Sequence, residues 1–301
     1  MLIISKAPVR VDFAGGWTDV DMFAKGAGGA VLNATIDKYV SGKMEIHDTA
    51  SAQTAEGREG INVSYESDLP SGSGLGMSSA LNVVWLSLVK SRVTSLDDKK
   101  MLAGLAYNLE TMLGILGGKQ DQFASAVGGF NFMTFDDTVT VEQLNLDPKL
   151  IQELENRLVL CYTGKPRLSS NIHENVWGAY RRGTPETVNA LYNLRNVAIR
   201  MKTVLEAGDL NEFADLLNQN WKHQKELDAS VTNEQMDDLF NIAFKAGAIA
   251  GKACGAGGGG CVMFFCKPDK KAAVAKAAEN AGARYIDFKF EFSGLVVEEV
   301  K

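Results

Sequence analysis

Apolar and polar residues alternate along the first part of the chain, which is the pattern of extended strands. Over residues 2–14, Arg10 and Asp12 fall on one face while the apolar residues between them point to the other. The same alternation predicts further strands at residues 30–36, 40–46 and 61–66, the last of them half-exposed. The polar stretch from residue 48 to residue 60 is predicted to be a loop.

Apolar residues then recur at helical spacing. One helix is predicted to begin near Ser78 and to bury Ala80, Val83, Val84, Ser87 and Leu88. A second helix should begin with Asp97 as its N-cap and bury the stripe Leu102, Leu105, Ala106, Leu109, Met112, Leu113 and Leu116. Glu110 lies at the edge of that stripe, where a partly desolvated carboxylate needs a cation, a donor or a metal. A solvated position on the flank of the helix is the alternative.

The rest of the chain predicts a hairpin, a helical region and a closing set of strands. Two glycines at residues 117–118 end the second helix and a short helix follows, with Asp121 in its first turn. A hairpin is predicted over residues 130–144, a strand at 158–162, and several helices between 170 and 246. A strand at 262–266, a helix at 269–280 and strands at 284–290 and 295–300 follow. The chain is long enough for two domains, and its character changes near residue 157, so we expect domains at residues 1–155 and 156–301.

The glycine-rich stretch from Pro70 to Ala80 is the strongest candidate for a ligand site. Gly72, Gly74 and Gly76 let the backbone turn sharply and bring its N–H groups close to a ligand. A helix N-terminus follows directly, and its unpaired donors and partial positive charge suit a phosphate. We therefore expect this loop to hold the phosphates of a nucleotide. The alternatives are a plain strand-to-helix turn with a serine cap, and a dinucleotide-binding loop, for which the half-exposed strand before it is unsuited.

Other polar residues lie beside glycines where a ligand would find space. Asp121 is followed on its side of the helix by small residues only, although a first-turn acid also complements the helix dipole. Arg10 could face a polar ligand with Asp19 accepting hydrogen bonds from hydroxyl groups, or it could form a surface ion pair with Asp12. Four consecutive glycines at residues 257–260 suggest a close approach of the backbone to a ligand or to another backbone segment.

Composition narrows the class of protein. The chain has 301 residues, 46% of them hydrophobic, and a formal net charge of −6, which argues against a general binder of nucleic acid or anionic membranes. Its four cysteines lack zinc-site spacing and indicate reduced thiols in a cytoplasmic protein without a signal peptide or a membrane span. The three histidines stand singly, without metal or triad spacing, and are predicted to be structural: His47, His173 and His223.

Three glycine-rich segments in this order resemble the motifs of the GHMP kinases. Lys6–Asp19 is similar to their first motif, Pro70–Ala80 to the second and Gly255–Cys261 to the third. Within the family, residues 117–131 and 162–170 look most like the heptose-7-phosphate kinases and their fucokinase-like relatives. The resemblance implies a two-domain α+β fold, with an N-terminal domain similar to ribosomal protein S5 domain 2 and a ferredoxin-like C-terminal domain. It also implies ATP and Mg²⁺ as cofactors.

The resemblance also implies roles for individual residues. Asp121 matches the general base and Arg10 the basic residue beside it, while Glu110 and Ser78, with Ser79 in reserve, would bind Mg²⁺. The residues around the ATP phosphates would be Gly72, Ser73, Gly74, Leu75, Gly76, Met77, Ser78 and Ser79. The substrate would contact Gly16, Trp17, Thr18, Asp19, Gly257 and Gly258, with Arg167 on a substrate phosphate.

The activity implied by the resemblance is transfer of a phosphoryl group from ATP to a sugar. The expected acceptor is the anomeric hydroxyl of D-glycero-D-manno-heptose 7-phosphate, with the 1,7-bisphosphate as product. Alternatives are a kinase of an unphosphorylated sugar, similar to fucokinase or galactokinase, and a catalytically silent sugar-binding regulator. The expected partners are the sugar phosphate and ATP, with no nucleic acid and no membrane, and a homodimer is possible.

Overall fold

Two antiparallel sheets and the helices packed on them make up the molecule. The computed structural model describes residues 1–47, 60–164 and 169–300, and its account of side chains omits Ser169 and Ser170. The strands are β1 (Leu2–Ala14), β2 (Gly29–Ile46), β3 (Ile61–Ser67), β4 (Phe130–Phe135), β5 (Val139–Leu144), β6 (Leu158–Tyr162), β7 (Ala248–Ala253), β8 (Cys261–Cys266), β9 (Arg284–Ile286) and β10 (Val296–Val300). None of the helices within these described ranges has both the length and the apolar content to cross a membrane.

The helices include two that the sequence patterns did not predict, at residues 21–27 and 148–157. In chain order, the helices are α1 (Asp21–Ala27), α2 (Met77–Lys90), α3 (Leu96–Met112), α4 (Gln120–Val127), α5 (Pro148–Arg157), α6 (Ser169–Arg181), α7 (Pro185–Glu206), α8 (Leu210–Lys225), α9 (Glu234–Ala246) and α10 (Lys271–Asn280). The apolar residues predicted for α2 are all buried, which fixes this helix directly behind the glycine loop.

The first sheet has the order β10-β1-β2-β4-β5, with β3 paired to one end of β2. Helices α2, α3 and α4 pack on one face through an apolar cluster that includes Val31, Val83 and Phe123. The other face carries Val9, Val11 and Phe13, which share a cluster with residues of α7, α8 and the second sheet. The second sheet has the order β7-β8-β6-β9. One apolar cluster therefore spans both halves of the chain.

Several predicted boundaries were wrong. The two strands expected at 30–36 and 40–46 form one strand, β2, because its partner β1 runs unbroken beside both. Strand β3 is exposed along its whole length. The strand expected at 284–290 ends at Ile286, and the last strand returns to the first sheet beside β1. The division at residue 155 stays a prediction, and most of the loop predicted at 48–60 lies outside the described residues.

Helix α3 differs from its prediction in both its cap and its buried face. Ser95, not Asp97, is the N-cap, because its hydroxyl accepts the N–H of Asp98 while the Asp98 carboxylate accepts the N–H of Ser95. The predicted stripe is only partly buried, since Leu105, Met112, Leu113 and Leu116 are exposed. The buried positions are the neighbours Leu102 and Ala103, then Ala106 and Glu110 one turn further each, and they lie on one side of the helix. Glu110 therefore lies on the buried side of the helix and not at its edge.

A buried ion pair connects the two sheets. The Nζ of Lys252 on β7 lies 2.8 Å from Oδ2 of Asp12 on β1 and donates a second hydrogen bond to the Asp12 carbonyl at 2.7 Å. The side chains are 0% and 3% exposed. Both charges are cut off from water, so each depends on the other for compensation.

We predict that Lys252→Met lowers the free energy of unfolding by about 3–5 kcal/mol, because it leaves the Asp12 carboxylate buried and uncompensated. Urea unfolding followed by circular dichroism measures this loss. The double variant Asp12→Asn/Lys252→Met should recover part of it, since no uncompensated charge remains. As a control, Lys43→Met breaks an exposed pair with Glu45 and should change stability little. A Lys252→Met protein as stable as the parent would show that the pair does not hold the sheets together.

Candidate active site

A cleft opens between the two halves of the chain, where the three glycine-rich segments meet. The residues that line it come from the glycine turn after β1, the loop before α2, the start of α4 and the loop after β7. The lining residues are Arg10, Asp12, Gly16, Trp17, Asp19, Val20, Gly72, Ser73, Gly74, Gly76, Met77, Ser78, Ser79, Glu110, Ile115, Leu116, Gly117, Gly118, Gln120, Asp121, His173, Gly255 and Ala256. Most of the residues predicted from the sequence for one site are thus brought together in one cleft.

Arg10 joins four segments at the centre of the cleft. Its Nε donates to Oδ1 of Asp121 at 2.7 Å, and its Nη1 donates to the carbonyls of Gly74 at 2.9 Å and Cys254 at 3.1 Å. The Arg10 backbone N–H donates to the carbonyl of Leu75. Burial lowers the pKa of Arg10, but attraction to Asp121 and Asp12 outweighs it and raises that pKa overall. The predicted surface pair of Arg10 with Asp12 is therefore wrong.

The loop before α2 presents backbone donors at a helix N-terminus. Gly72, Gly74 and Gly76 have φ values of 76°, 78° and 80°, the left-handed region that suits glycine. Among the described contacts, α2 has no side-chain hydrogen bond at its N-cap, which leaves its first N–H groups available for an anion. A Cβ on Gly76 would lie 3.1 Å from the Asp121 carboxyl group, so only glycine leaves that space clear.

The glycine segment at residues 255–261 packs against the loop before α2. Cys261 donates its N–H to the Ser73 carbonyl at 2.7 Å, and a Cβ on Gly260 would approach the same oxygen to 2.7 Å. Gly257 and Gly258 do not line the cleft. A Cβ at Gly257 would lie 2.2 Å from the Val231 carbonyl, so these glycines serve an approach of backbone to backbone. Their predicted contact with substrate stays a prediction, and from the same segment Gly255 and Ala256 line the cleft.

Glu110 provides a buried carboxylate beside the helix N-terminus. Its oxygens accept hydrogen bonds from the amides of Asn82 at 2.9 Å and Gln122 at 2.8 Å, and from the Ser79 hydroxyl. Burial raises the pKa of Glu110, and these donors only partly offset that effect. Among the described residues no lysine or arginine forms an ion pair with it.

The donor set around Glu110 fits a hard divalent cation. Carboxylate and hydroxyl oxygens are the ligands that Mg²⁺ prefers, and a cation would compensate the buried charge of Glu110. Ser79 is 6% exposed and contacts Glu110 directly, whereas Ser78 is exposed at the cleft. Glu110 together with Ser78 or Ser79 could hold the ion, and the choice between the two serines stays a prediction.

Asp19 is the second buried carboxylate of the cleft. Its Oδ2 accepts the N–H of Gln120 at 3.0 Å, and a Cβ on Gly118 would lie only 1.8 Å from that oxygen. Burial raises the pKa of Asp19 to about 6 from its usual 3.8, with the charge of Asp121 adding to the effect. A ligand that donates hydroxyl hydrogens would stabilise this carboxylate.

Aromatic side chains close the end of the cleft nearest Asp19. Trp17 has a φ of 84°, a strained conformation for a residue with a side chain, and its ring lies 4.5 Å from the His173 ring between centroids. The Trp177 indole donates to Nδ1 of His173 at 3.3 Å. His173 was predicted to be structural; it also lines the cleft, and its role stays a prediction. The sequence carries no local signal for it, because α6 reaches the cleft only through the tertiary fold.

Some predicted residues contribute to the site only indirectly. Thr18 is fully buried, and its hydroxyl bonds within the turn, to the Gly15 carbonyl at 2.8 Å and to the backbone of Ala30. The Leu75 side chain is in the core. Neither residue lines the cleft, and their predicted contacts with ligands stay predictions. Arg167 lies outside the described residues.

The fold and the cleft define a small-molecule kinase: a glycine loop at a helix N-terminus faces a carboxylate that is held by a buried arginine. Two family models match the sequence, the GHMP kinases N terminal domain over residues 41–129 and the GHMP kinases C terminal domain over residues 201–284. The chain belongs to the GHMP kinases and is an ATP-dependent kinase, with ATP and Mg²⁺ as its cofactors.

Individual relatives cover the whole chain. The D-glycero-alpha-D-manno-heptose 7-phosphate kinase of Campylobacter jejuni is 32% identical over 97% of this chain and 98% of its own. The crystal structure of a D-glycero-D-manno-heptose 1-phosphate kinase from Bacteroides thetaiotaomicron superposes with a TM-score of 0.77 at 26% identity, covering 99% of both chains. A Lactococcus lactis galactokinase complexed with galactose shares the fold, with a TM-score of 0.72 at 19% identity over 99% of this chain and 95% of its own. The predicted two-domain α+β fold of this family is thereby confirmed.

We predict that Asp19→Asn stabilises the protein near pH 7.5 by about 1–3 kcal/mol. The folded-state pKa is raised to about 6, so the favourable contribution of Asp19 is complete below about pH 4 and is lost as the pH rises through 6. Above pH 6 the buried charge is a cost that asparagine removes. Urea unfolding at several pH values should therefore show a gain that fades between pH 6 and pH 4.

Asp21→Asn is the matched control for this prediction. Hydrogen bonds from Lys119 and Lys25 outweigh burial and lower the pKa of Asp21, so its ionised form stabilises the fold above its usual pKa. Its replacement should destabilise the protein at pH 7.5, the opposite sign to Asp19→Asn. A loss of stability in Asp19→Asn at pH 7.5 would contradict the assigned cost of that buried charge.

Proposed function

We propose that this kinase transfers the γ-phosphoryl group of ATP to the anomeric hydroxyl of a sugar, D-glycero-D-manno-heptose 7-phosphate, giving the 1,7-bisphosphate. The observation that carries the proposal is the 2.7 Å contact of Arg10 with Asp121 in a cleft that also contains the glycine loop and Asp19. The printed name of the Campylobacter jejuni relative, which matches along almost its full length, supports the choice of sugar.

Phosphoryl transfer depends on positioning and charge compensation more than on covalent chemistry. Bound MgATP supplies the phosphoryl group and part of that compensation. Asp121 accepts the proton of the anomeric hydroxyl at its carboxylate, which Arg10 holds in place. The N–H groups of the loop and the start of α2 orient the phosphates, and Asp19 accepts hydrogen bonds from the sugar hydroxyls. Glu110 faces the same helix N-terminus, where it would hold the metal.

A kinase of an unphosphorylated sugar is the second candidate, and one observation favours it. Of the described residues that line the cleft, Arg10 is the only arginine or lysine, and it is already bonded to Asp121 and two carbonyls. A free basic side chain for the 7-phosphate would have to come from outside this described lining of the cleft. Arg167, predicted for that role from the sequence, is the candidate.

A substrate panel separates these functions. ADP formation is measured with ATP, Mg²⁺ and each of D-glycero-D-manno-heptose 7-phosphate, the free heptose, D-mannose, D-galactose and L-fucose. The highest kcat/KM for the heptose 7-phosphate supports the proposal, and the highest value for a free sugar overturns it in favour of the second candidate. Absence of sugar-dependent ADP formation across the panel would exclude both and support a silent sugar-binding regulator.

We predict that Asp121→Asn lowers kcat by at least roughly 10²-fold while the KM for ATP changes little, because the general base is lost and the phosphate loop is not. Steady-state kinetics at saturating sugar measures this, and a thermal melt confirms that the variant folds despite leaving Arg10 unpaired. Asp137→Asn, an exposed aspartate in the hairpin between β4 and β5, is the matched control. Near-normal kcat in Asp121→Asn would remove this residue from the mechanism.

We predict that Glu110→Gln raises the Mg²⁺ concentration needed for half-maximal activity by at least roughly tenfold, because a neutral amide binds the cation far more weakly than a carboxylate. The measurement is a magnesium titration at constant ATP. Glu206→Gln makes the same change at an exposed position of α7 and should leave the titration unaltered. An unchanged titration for Glu110→Gln would argue against Glu110 as a metal ligand.

A further inference from the structure

A row of buried polar side chains crosses three neighbouring strands beneath the cleft. Asp12 on β1 pairs in register with Asn33 on β2, and Asn33 pairs with Asn131 on β4. The three residues are 2%, 0% and 0% exposed. Polar groups buried on a sheet face cost stability unless they are hydrogen-bonded, and apolar residues would pack there at no such cost. The row therefore needs an explanation beyond the folding of the sheet.

The hydrogen bonds of this row fix how each amide is turned. Asn131 donates from Nδ2 to the Gly129 carbonyl at 3.1 Å, and since a carbonyl can only accept, that atom must be the nitrogen. The same Nδ2 faces Oδ1 of Asn33 at 3.5 Å, and Asn33 in turn donates from its Nδ2 to Oε1 of Gln120 at 3.3 Å. Because the oxygen of the Gln120 amide accepts from Asn33, the NH₂ group of that amide points away from Asn33.

The remaining group, the Nε2 of Gln120, lies at the cleft. Gln120 begins α4, lines the cleft and precedes Asp121. A Cβ built on Gly16 would lie 3.3 Å from this Nε2 and 2.4 Å from Oδ2 of Asp12, which places both groups around the same glycine. No acceptor for the Gln120 Nε2 is found among the described hydrogen bonds, although the side chain is only 6% exposed.

We propose that Gln120 is a substrate-specificity residue: its side-chain NH₂ donates a hydrogen bond to a hydroxyl oxygen of the sugar acceptor. Asn33 and Asn131 are positioning residues that keep the amide turned in this direction. The inference rests on the proposed function, because that function makes the acceptor a sugar. Gln120 would supply a hydrogen-bond donor beside Asp19, which is an acceptor. Sugar hydroxyl groups could then donate to Asp19 and accept from Gln120.

Gln120→Met tests the donor, because methionine has nearly the same length and no N–H group. The KM for the sugar that is turned over should rise about 3–10-fold, the range for loss of one neutral hydrogen bond, while kcat and the KM for ATP change less than about 2-fold. Gln152→Met makes the same substitution at an exposed position of α5 and should leave all constants unchanged. An unchanged sugar KM in Gln120→Met overturns the proposal.

Asn33→Asp tests the positioning, because a carboxylate cannot donate to Oε1 of Gln120 and instead accepts from its Nε2, which turns the amide around. The sugar KM should rise by a similar factor in Asn33→Asp, with no further rise when Asn33→Asp is added to Gln120→Met. If the effects of the two substitutions on the sugar KM were fully additive, Asn33 would not act through Gln120. If Asn33→Asp does not fold, Asn33→Leu replaces it, alone and combined with Gln120→Met. Leucine removes the hydrogen bond to the Gln120 amide without burying a charge.

Deoxy sugars separate this inference from the proposed function. The parent enzyme should have a lower kcat/KM for one monodeoxy analogue than for the intact sugar, and Gln120→Met should lose this difference. If Gln120→Met discriminates against every analogue as the parent does, the inference is overturned and the proposed function is unaffected. If no sugar in the panel supports ADP formation, the proposed function fails first. Gln120 is then tested by the rise in melting temperature that D-mannose or L-fucose produces, which should be smaller in Gln120→Met than in the parent and, if equal, overturns the inference.

Discussion

The buried guanidinium group of Arg10 is the contact on which the arrangement of the cleft depends. A charge removed from water must be paired and hydrogen-bonded, and Arg10 achieves this only when Asp121, the Gly74 carbonyl and the Cys254 carbonyl surround it together. These partners come from α4, the loop before α2 and the residue after β7, which are far apart in the sequence. Their convergence in space is therefore coupled to the burial of one side chain, so that the proposed catalytic geometry and the fold depend on the same interaction.

The other charged groups of the cleft are stabilised less completely. Glu110 and Asp19 are buried against neutral donors, and burial raises the pKa of both carboxyl groups. By contrast, Lys252 and Asp12, which connect the sheets, form a direct ion pair. An acid without a cationic partner is costly to bury, and a metal ion or ligand hydroxyl groups would offset that cost. The protein thus places its uncompensated charge where we propose that ligands bind, at some expense of stability.

Sequence patterns predicted the parts of this structure that depend on local physics. Alternation located β1, and helical spacing located α2 directly after the glycine loop. The resemblance to the GHMP kinases, and not a local pattern, grouped Asp121 with this loop, and both line the cleft. The burial of Glu110 was underestimated, because leucines beyond Ala106 suggested a stripe that the helix does not bury. His173 and Lys252 gave no local signal, since each acts through a partner more than 150 residues away, Trp17 for one and Asp12 for the other.

The glycines of the cleft show why motif patterns predict contacts imperfectly. Gly118 has no left-handed backbone, yet a Cβ there would lie 1.8 Å from the Asp19 carboxylate, and one at Gly76 would crowd Asp121. These positions exclude side chains to make room for acids, whereas Gly257 and Gly258 do so to let backbone pass beside Val231 and Ile172. A glycine in the sequence therefore indicates that another group lies close to the backbone, but it does not identify that group. Only the fold distinguishes space kept for a ligand from space filled by the protein itself.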